Sequence, residues 1–456
     1  MASPLSPARS LRRLGVAAAL AVATGCAAES SPNAPKGVVV VVVDCLRADQ
    51  LAAYGAKIRA APRLDELAAA GVVFGDAFSV GSWTRPSLPS LFTGLYPAEH
   101  GLSEPFLQRG RSLVQRRLPP EAVTIAEAFR DAGFRTAMIG EQPLLAREFQ
   151  LDQGFEEYRH REGSAAAIRK RFLDWLQDDP GAPFFAYLHL LELHWPYCPQ
   201  STFGAFDPTP GSPSLCIGEK QNRKIDRRID PGSEADVRAL RARYSEELLE
   251  LDGEIGALFD ALRARSLWEE TLVVVTSDHG EELLEHGSFR HGHTLYDELL
   301  RVPLVFKPPS SWRIAPGARV EGPVENRSLA PTLFELAGRA VPPDVSAPSL
   351  VPWLLGRAPA HPPAEVAIAQ SSGLYSVRKG GWKLITSNRG RHFELFDLAA
   401  DPAERENLAA SHPERVAEMK ALLRQWRAQL RPLPAAKASP LEAETTEGLR
   451  ALGYLR

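Results

Sequence analysis

The sequence predicts an α/β fold, a large, mostly parallel sheet covered by helices with a small C-terminal unit after it. Three observations lead there. Lys36-Gly37 opens into six consecutive valines, Val38 to Val43, and a strand apolar on both faces belongs in the middle of a helix-covered parallel sheet. Ala182 to Leu188 and Leu272 to Thr276 repeat that pattern. Between them lies a helical stretch, Glu234 to Arg265, whose apolar positions Leu240, Tyr244, Leu248, Leu251, Ile255, Leu258 and Leu262 fall three and four apart, the spacing of a core-packing helix. Its carboxylates are expected to face water.

With 456 residues, 44% of them hydrophobic and 24% charged, the chain is long enough for one big domain and a smaller one. A formal charge of −3 gives no electrostatic case for nucleic acid.

The N-terminus reads as an export signal. Arg9, Arg12 and Arg13 precede an apolar run from Leu14 to Ala23, too short for a mature membrane span and suited to a signal peptide over residues 1–25. The run ends in Ala23-Thr24-Gly25-Cys26, which resembles a bacterial lipobox and marks Cys26 for lipid attachment. Residues 26–35 then form a polar tether. The expected location is the bacterial membrane, facing the periplasm or the outside, and Arg12-Arg13 also resembles a twin-arginine signal. Of the other cysteines, Cys198 and Cys216 flank a Pro/Gly/Ser-rich loop and are placed to pair in an oxidising compartment. Cys45 reads as a small buried side chain.

Asp44 follows the valine strand at its carboxyl end, the side of an open α/β sheet where ligands gather. Pro62 to Ala68 is an amphipathic packing helix ended at Gly71 to Phe74. Next comes Ser82-Trp83-Thr84-Arg85-Pro86-Ser87. A hydroxyl at the mouth of the short helix that follows meets free backbone N–H groups, which suit an anionic phosphoryl or sulfuryl group, although such a residue is also an ordinary helix cap. His100 is expected to be structural. Thr124 to Gly133 is a helix and Phe134 to Ile139 the strand after it. The strand at Ala182 runs into His189 and His194, and two histidines at a strand end favour a site. Ala205 to Asp230, polar and Pro/Gly-rich, reads as an excursion over the active-site face.

Asp278 and His279 end the third buried strand, so two buried strands each finish in metal-ligand residues. Asp44, Asp278, His279 and the Thr84 oxygen form an O/N set suited to one divalent cation, calcium, manganese or zinc. His291 or His293, in the segment that follows, is a candidate general acid for a leaving oxygen. A Pro-rich linker, Ala358 to Ala364, leads to strands near Ser376 to Arg378, Trp382 to Thr386 and Glu394 to Asp397, then a helix from Pro413 to Leu430. The tail, residues 431–456, is expected to be mobile apart from Leu452 to Leu455.

These blocks resemble the sulfatase family of the alkaline phosphatase superfamily. The run from Thr84 to Gly94 is similar to the signature in which a Cys or Ser is followed by x-Pro-Ser-Arg, three residues including a Leu, and Thr-Gly. Pro86, Ser87, Leu91, Thr93 and Gly94 match. Thr84 stands where the family carries the residue converted to formylglycine, and Leu88 where it carries Arg. Asp44-Cys45 replaces an adjacent pair of Asp ligands. Gly140-Glu141-Gln142-Pro143 replaces a Gly-Lys-Trp-His segment whose Lys binds sulfate, and Glu141 is expected to repel an anion there.

The resemblance implies an alkaline phosphatase-like catalytic domain over residues 36–357 and a small antiparallel subdomain over 365–430. It also implies an anionic ester as substrate, with Asp44, Thr84, Asp278 and His279 holding the metal. Thr84 is then the nucleophile, Arg85 neutralises charge, and His189 with His291 or His293 assists the leaving group. The expected reaction is hydrolysis of phosphodiesters or phosphonate monoesters. The alternatives are a sulfuric ester hydrolase and a non-catalytic surface lipoprotein with a decayed site.

Overall fold

The computed structural model describes residues 35–103, 106–109, 112–209, 229–230, 232–357, 361–388 and 392–455. Cys26 and the rest of the N-terminal segment, Cys216 and most of the expected excursion lie outside them.

Eight strands form the main sheet: β1 Gly37–Val43, β2 Val72–Phe78, β3 Arg135–Gly140, β4 Glu157–Arg159, β5 Phe184–Leu190, β6 Thr271–Thr276, β7 Leu304–Lys307 and β8 Ala318–Glu325. Their spatial order is β8-β2-β7-β6-β1-β5-β3-β4. Only β7 runs antiparallel to its neighbours; every other pairing is parallel. The valine strand is therefore central, and its alternation divides it between two cores. Val39, Val41 and Val43 pack with α1 (Pro62–Ala70), α4 (Ala165–Asp178) and α5 (Glu234–Ala264) on one face. Val38, Val40 and Val42 pack with α2 (Thr84–Thr93), α3 (Ile125–Asp131) and α6 (Leu329–Leu336) on the other. A strand covered on both faces has no polar side to offer, which is why the sequence there is a run and not an alternation.

The C-terminal unit is a four-stranded antiparallel sheet, β9 Val366–Ser371, β10 Leu374–Lys379, β11 Trp382–Ser387 and β12 Phe393–Asp397, covered by α7 (Pro413–Gln429). Its first strand is tied to the main domain where Ile368 N donates to Glu325 Oε1 at 2.8 Å and Gln370 N to the Val80 carbonyl at 2.9 Å. No described helix is long and apolar enough to cross a membrane.

Several expectations need correction. Gly71 to Phe74 is not merely a helix end: Val72 begins β2, which Gly75 and Asp76 disguise in the sequence. The tail before Leu452, expected to be mobile, is docked on the domain. Ser439 and Pro440 pair with Gln115 and Val114, and α8 (Ala443–Ala451) docks with Leu449 fully buried. The carboxylates of α5 do not all face water either. Glu246 is fully buried and paired with Arg243 at 2.6 Å, and it accepts from Phe206 N at 3.1 Å. Removing one member of a buried ion pair strands the other charge, so Glu246→Ala is expected to cost about 3 kcal/mol of folding stability. Denaturant unfolding checks this, and an unchanged midpoint would contradict the packing described here.

Candidate active site

Four adjacent strand ends supply the site. Asp44 leaves β1, His189 is the last residue but one of β5, Asp278 and His279 leave β6, and Gln142 leaves β3. The loops are pinned to each other. Ser277 Oγ donates to the His279 carbonyl at 2.5 Å and accepts from Leu46 N at 3.0 Å, joining the exits of β6 and β1. Ser79 Oγ donates to the Asp278 carbonyl and lies 3.1 Å from Ser87 Oγ in α2.

Thr84 is the first residue of α2. The N-cap is Trp83, and it makes no side-chain capping bond, so Thr84 is not a cap. Its Oγ1 instead lies 3.1 Å from His279 Nε2, 3.5 Å from Asp44 Oδ2 and 2.9 Å from the Tyr454 hydroxyl. Asp44, Thr84, Asp278, His279 and His189 are all fully buried.

Burial alone would raise the Asp44 carboxyl, but the hydrogen bond from His189 and the nearby His279 hold it well below the usual range. Gln142 Nε2 donates to Asp44 Oδ2 at 2.7 Å and the Cys45 thiol to Oδ1 at 3.1 Å. His189 Nε2 is 3.3 Å from Asp44 Oδ2, and its Nδ1 accepts from the Tyr187 hydroxyl at 3.1 Å. Asp278 is the opposite case. Neither of its carboxylate oxygens accepts a hydrogen bond, although His279 Nε2 lies 3.4 Å from Oδ2, and burial, then Asp44, pushes its carboxyl well above the ordinary value. A buried carboxylate left unpaired is costly unless a cation meets it.

The donors fit such a cation. Ligand atoms of Asp44, Asp278 and His279 all lie within 4.8 Å of one another. His279 Nδ1–H donates to the Gly280 carbonyl at 2.8 Å, which leaves Nε2 bare and aimed at Thr84 and the two carboxylates, as metal-binding imidazoles are held. Cys45 sits at φ 63, and burial raises its thiol well above the usual value. It therefore serves Asp44 as a neutral S–H donor.

The other expected residues divide. His291 lies inside the site, its ring 4.4 Å from that of His279 and its Nδ1 2.9 Å from Glu281 Oε1. Burial lowers His291 well below the normal value and raises Glu281 to about 7. His293 is turned to Glu282 at 2.9 Å and is about a third exposed. The Arg85 guanidinium bonds Gln115 Oε1 and the Arg116 carbonyl, both at 3.3 Å, and lies over Phe106 at 4.7 Å; it is not among the groups touching Thr84. His189 is held between Asp44 and Tyr187, where it orients a carboxylate. The Glu141 carboxylate turns away to Gly163 N at 2.8 Å, so the expected repulsion of an anion is corrected: Gln142, not Glu141, enters the site. Leu88 is buried in the core beneath α2. His100 is buried, 3.1 Å from Ser90 Oγ, and burial pushes it down to about 3, as a structural residue requires. Cys198 is disulfide-bonded; its expected partner, Cys216, lies outside the described residues.

Three site residues were missed. Gln142 was legible, since it follows a buried strand as Asp44 does. Glu281 is two residues beyond His279 and reveals itself only through His291. Tyr454 is 370 positions from Thr84, and no local pattern announces it.

A hydroxyl at a helix mouth, facing an O/N donor cluster at strand ends, defines a metal-dependent hydrolase of anionic esters. Comparison with known proteins agrees. The Sulfatase family description matches residues 36–339, and that of N-sulphoglucosamine sulphohydrolase, C-terminal, matches residues 284–431. The chain belongs to the sulfatase family, hydrolases of the alkaline phosphatase-like superfamily. It is 26% identical to arylsulfatase K of Xenopus laevis over 86% of this chain and 83% of that one. It is also 26% identical to a multifunctional alkaline phosphatase superfamily protein of Trinickia caryophylli, over 82% and 91%. The structure of the phosphonate monoester hydrolase of Agrobacterium radiobacter superposes with TM-score 0.68 at 22% identity, covering 87% of this chain and 96% of that one.

Asp44→Ala or Asp278→Ala is expected to abolish metal binding, and Gln142→Leu to weaken it about tenfold through the loss of an outer hydrogen bond. Elemental analysis and metal titration of the purified variants read this directly. Full occupancy in either Asp variant would remove the site from this account.

Proposed function

We propose that the protein hydrolyses phosphodiesters or phosphonate monoesters with Thr84 as nucleophile and one divalent cation held by Asp44, Asp278, His279 and Thr84. The observation that carries this is the placement of Thr84 Oγ1, 3.1 Å from the bare His279 Nε2, beside the buried Asp278 carboxylate, whose oxygens accept no hydrogen bond. The mixed O/N donors suit calcium, manganese or zinc. When bound, such a cation lowers the pKa of a nearby hydroxyl and polarises a substrate oxygen.

The chain's own residues do the rest. Thr84 Oγ1, its proton released to water, attacks phosphorus in line, a P–O bond to Thr84 forms and the bond to the leaving oxygen breaks. Backbone N–H groups at the start of α2 face the anion's oxygens. The Glu281–His291 pair, 2.9 Å apart, delivers a proton to the leaving oxygen. Water then opens the Thr84 ester from the side the leaving group vacated.

The choice of phosphorus over sulfur rests on Thr84. A formylglycine hydrate has a second hydroxyl and expels sulfate by collapsing to the aldehyde, whereas Thr has only one. A phosphoester of Thr is opened by water, because phosphoryl transfer needs mainly positioning and charge stabilisation. A sulfuric ester hydrolase is the second reading, favoured by the likeness to arylsulfatase K and to the sulphohydrolase C-terminal region. The Asp44, Thr84, Asp278 and His279 cluster argues against a decayed, non-catalytic site.

A kinetic panel of aryl phosphate, phosphodiester, phosphonate and sulfate esters with several divalent metals tests this. The expected order places phosphodiesters or phosphonates above aryl sulfates, with activity lost in Thr84→Ala. Faster sulfate hydrolysis by the Thr84 enzyme would promote the second reading.

Export and anchoring belong to the same proposal: Cys26 becomes the lipidated N-terminus and holds the enzyme on the membrane. Cys26→Ser is expected to lower the mature mass by the lipid and release the protein to the soluble fraction. Unchanged mass and partitioning would contradict the anchor.

A further inference from the structure

The turn that follows α8 reaches Thr84. Thr84 Oγ1 makes hydrogen-bond contacts with three side chains, Asp44, His279 and Tyr454, with Asp278 also beside it. Asp44 is an acceptor and His279 presents a bare nitrogen, so the Tyr454 phenol is the one O–H donor of the three. Its ring lies among site residues, with centroids 6.0 Å from Trp83, 5.6 Å from His194 and 5.9 Å from His291.

This position is built, not incidental. Leu449 and Leu455, on either side of the tyrosine, are buried in the same core as α2. Gly453 adopts φ +84, and Tyr454 N donates to the Leu449 carbonyl at 2.9 Å, which turns the chain back onto the helix end. Gly448 lies so close to the loop after β3 that a Cβ there would meet Pro143 Cγ at 2.9 Å. That loop carries Gln142, the residue that orients Asp44. Glu444 pairs with Arg161 on the neighbouring strand exit.

We infer that Tyr454 is a catalytic residue that contacts substrate, its phenol donating a hydrogen bond to a non-bridging oxygen of the ester anion at Thr84. The hydroxyl stands 2.9 Å from the atom that bonds the substrate's central atom. The oxygens of that group must therefore arrive where the phenol already points. The inference rests on the proposed role of Thr84 as nucleophile but not on the choice between phosphate and sulfate.

The test uses the metal-loaded full-length protein with Tyr454→Phe, which keeps the ring and its packing, and Thr84→Ala as a separate control. Calorimetry measures the Kd of inorganic phosphate and of inorganic sulfate, alongside kcat and KM on the best ester of the panel. A hydrogen bond to a charged group predicts that Tyr454→Phe weakens the preferred anion roughly tenfold and lowers kcat/KM at least as much, with an unchanged melting temperature. If Thr84→Ala retains activity while Tyr454→Phe weakens anion binding, the nucleophile assignment fails and the tyrosine contact stands. Unchanged anion affinity in Tyr454→Phe would overturn the inference. Tighter binding would also overturn it, since the tyrosine would then be a plug that substrate must displace.

Discussion

Two carboxylates, Asp44 and Asp278, are buried without exposure at the carboxyl ends of neighbouring parallel strands. Burial of that kind carries a penalty of several kcal/mol per ion unless each charge is met. Asp44 is met by Gln142, Cys45 and His189. Asp278 has the His279 imidazole beside it, Nε2 3.4 Å from Oδ2, but neither of its oxygens accepts a hydrogen bond. Much of the surrounding architecture keeps these two carboxylates in place. The Ser277 and Ser79 hydrogen bonds lock the loops, the Gly280 carbonyl fixes the His279 tautomer, and two apolar layers hold the strands in register beneath them.

The fold was largely legible because its central strands bury both faces. Six valines in a row suit the middle of a covered sheet and little else, since β-branched side chains pack well on a pleated surface and are disfavoured in a helix. The three-and-four spacing of α5 is similarly unambiguous. Strand β2 and its neighbour, the edge strand β8, were not legible. Gly75 and Asp76 interrupt the first, and Pro323 with alternating charge disguises the second. The buried charge on α5 escaped for a related reason: Glu246 meets Arg243 three residues earlier in the helix, and periodicity alone does not show whether such a pair faces water or a covering loop.

At the site, the strand-end rule located Asp44, Asp278, His279 and His189, and it would have located Gln142 had an amide been weighed like an acid. Side-chain direction was beyond it. Arg85 is adjacent to Thr84 in sequence, yet one step around a helix turns it onto Gln115 and the ring of Phe106. Gln142 enters the site in place of Glu141 because successive residues leaving a strand point to opposite sides. The tail before Leu452 was misjudged because its composition is polar, while Leu449 is buried in the main core and Leu433 and Leu441 pack against it.

The stereochemical course at phosphorus tests the central claim, attack by Thr84 followed by water, most directly. A phosphodiester made chiral at phosphorus with sulfur and oxygen isotopes is turned over in labelled water, and the configuration of the product is determined. Two successive in-line displacements predict net retention. Net inversion would mean that water attacks the substrate directly, and Thr84 would lose its place as nucleophile.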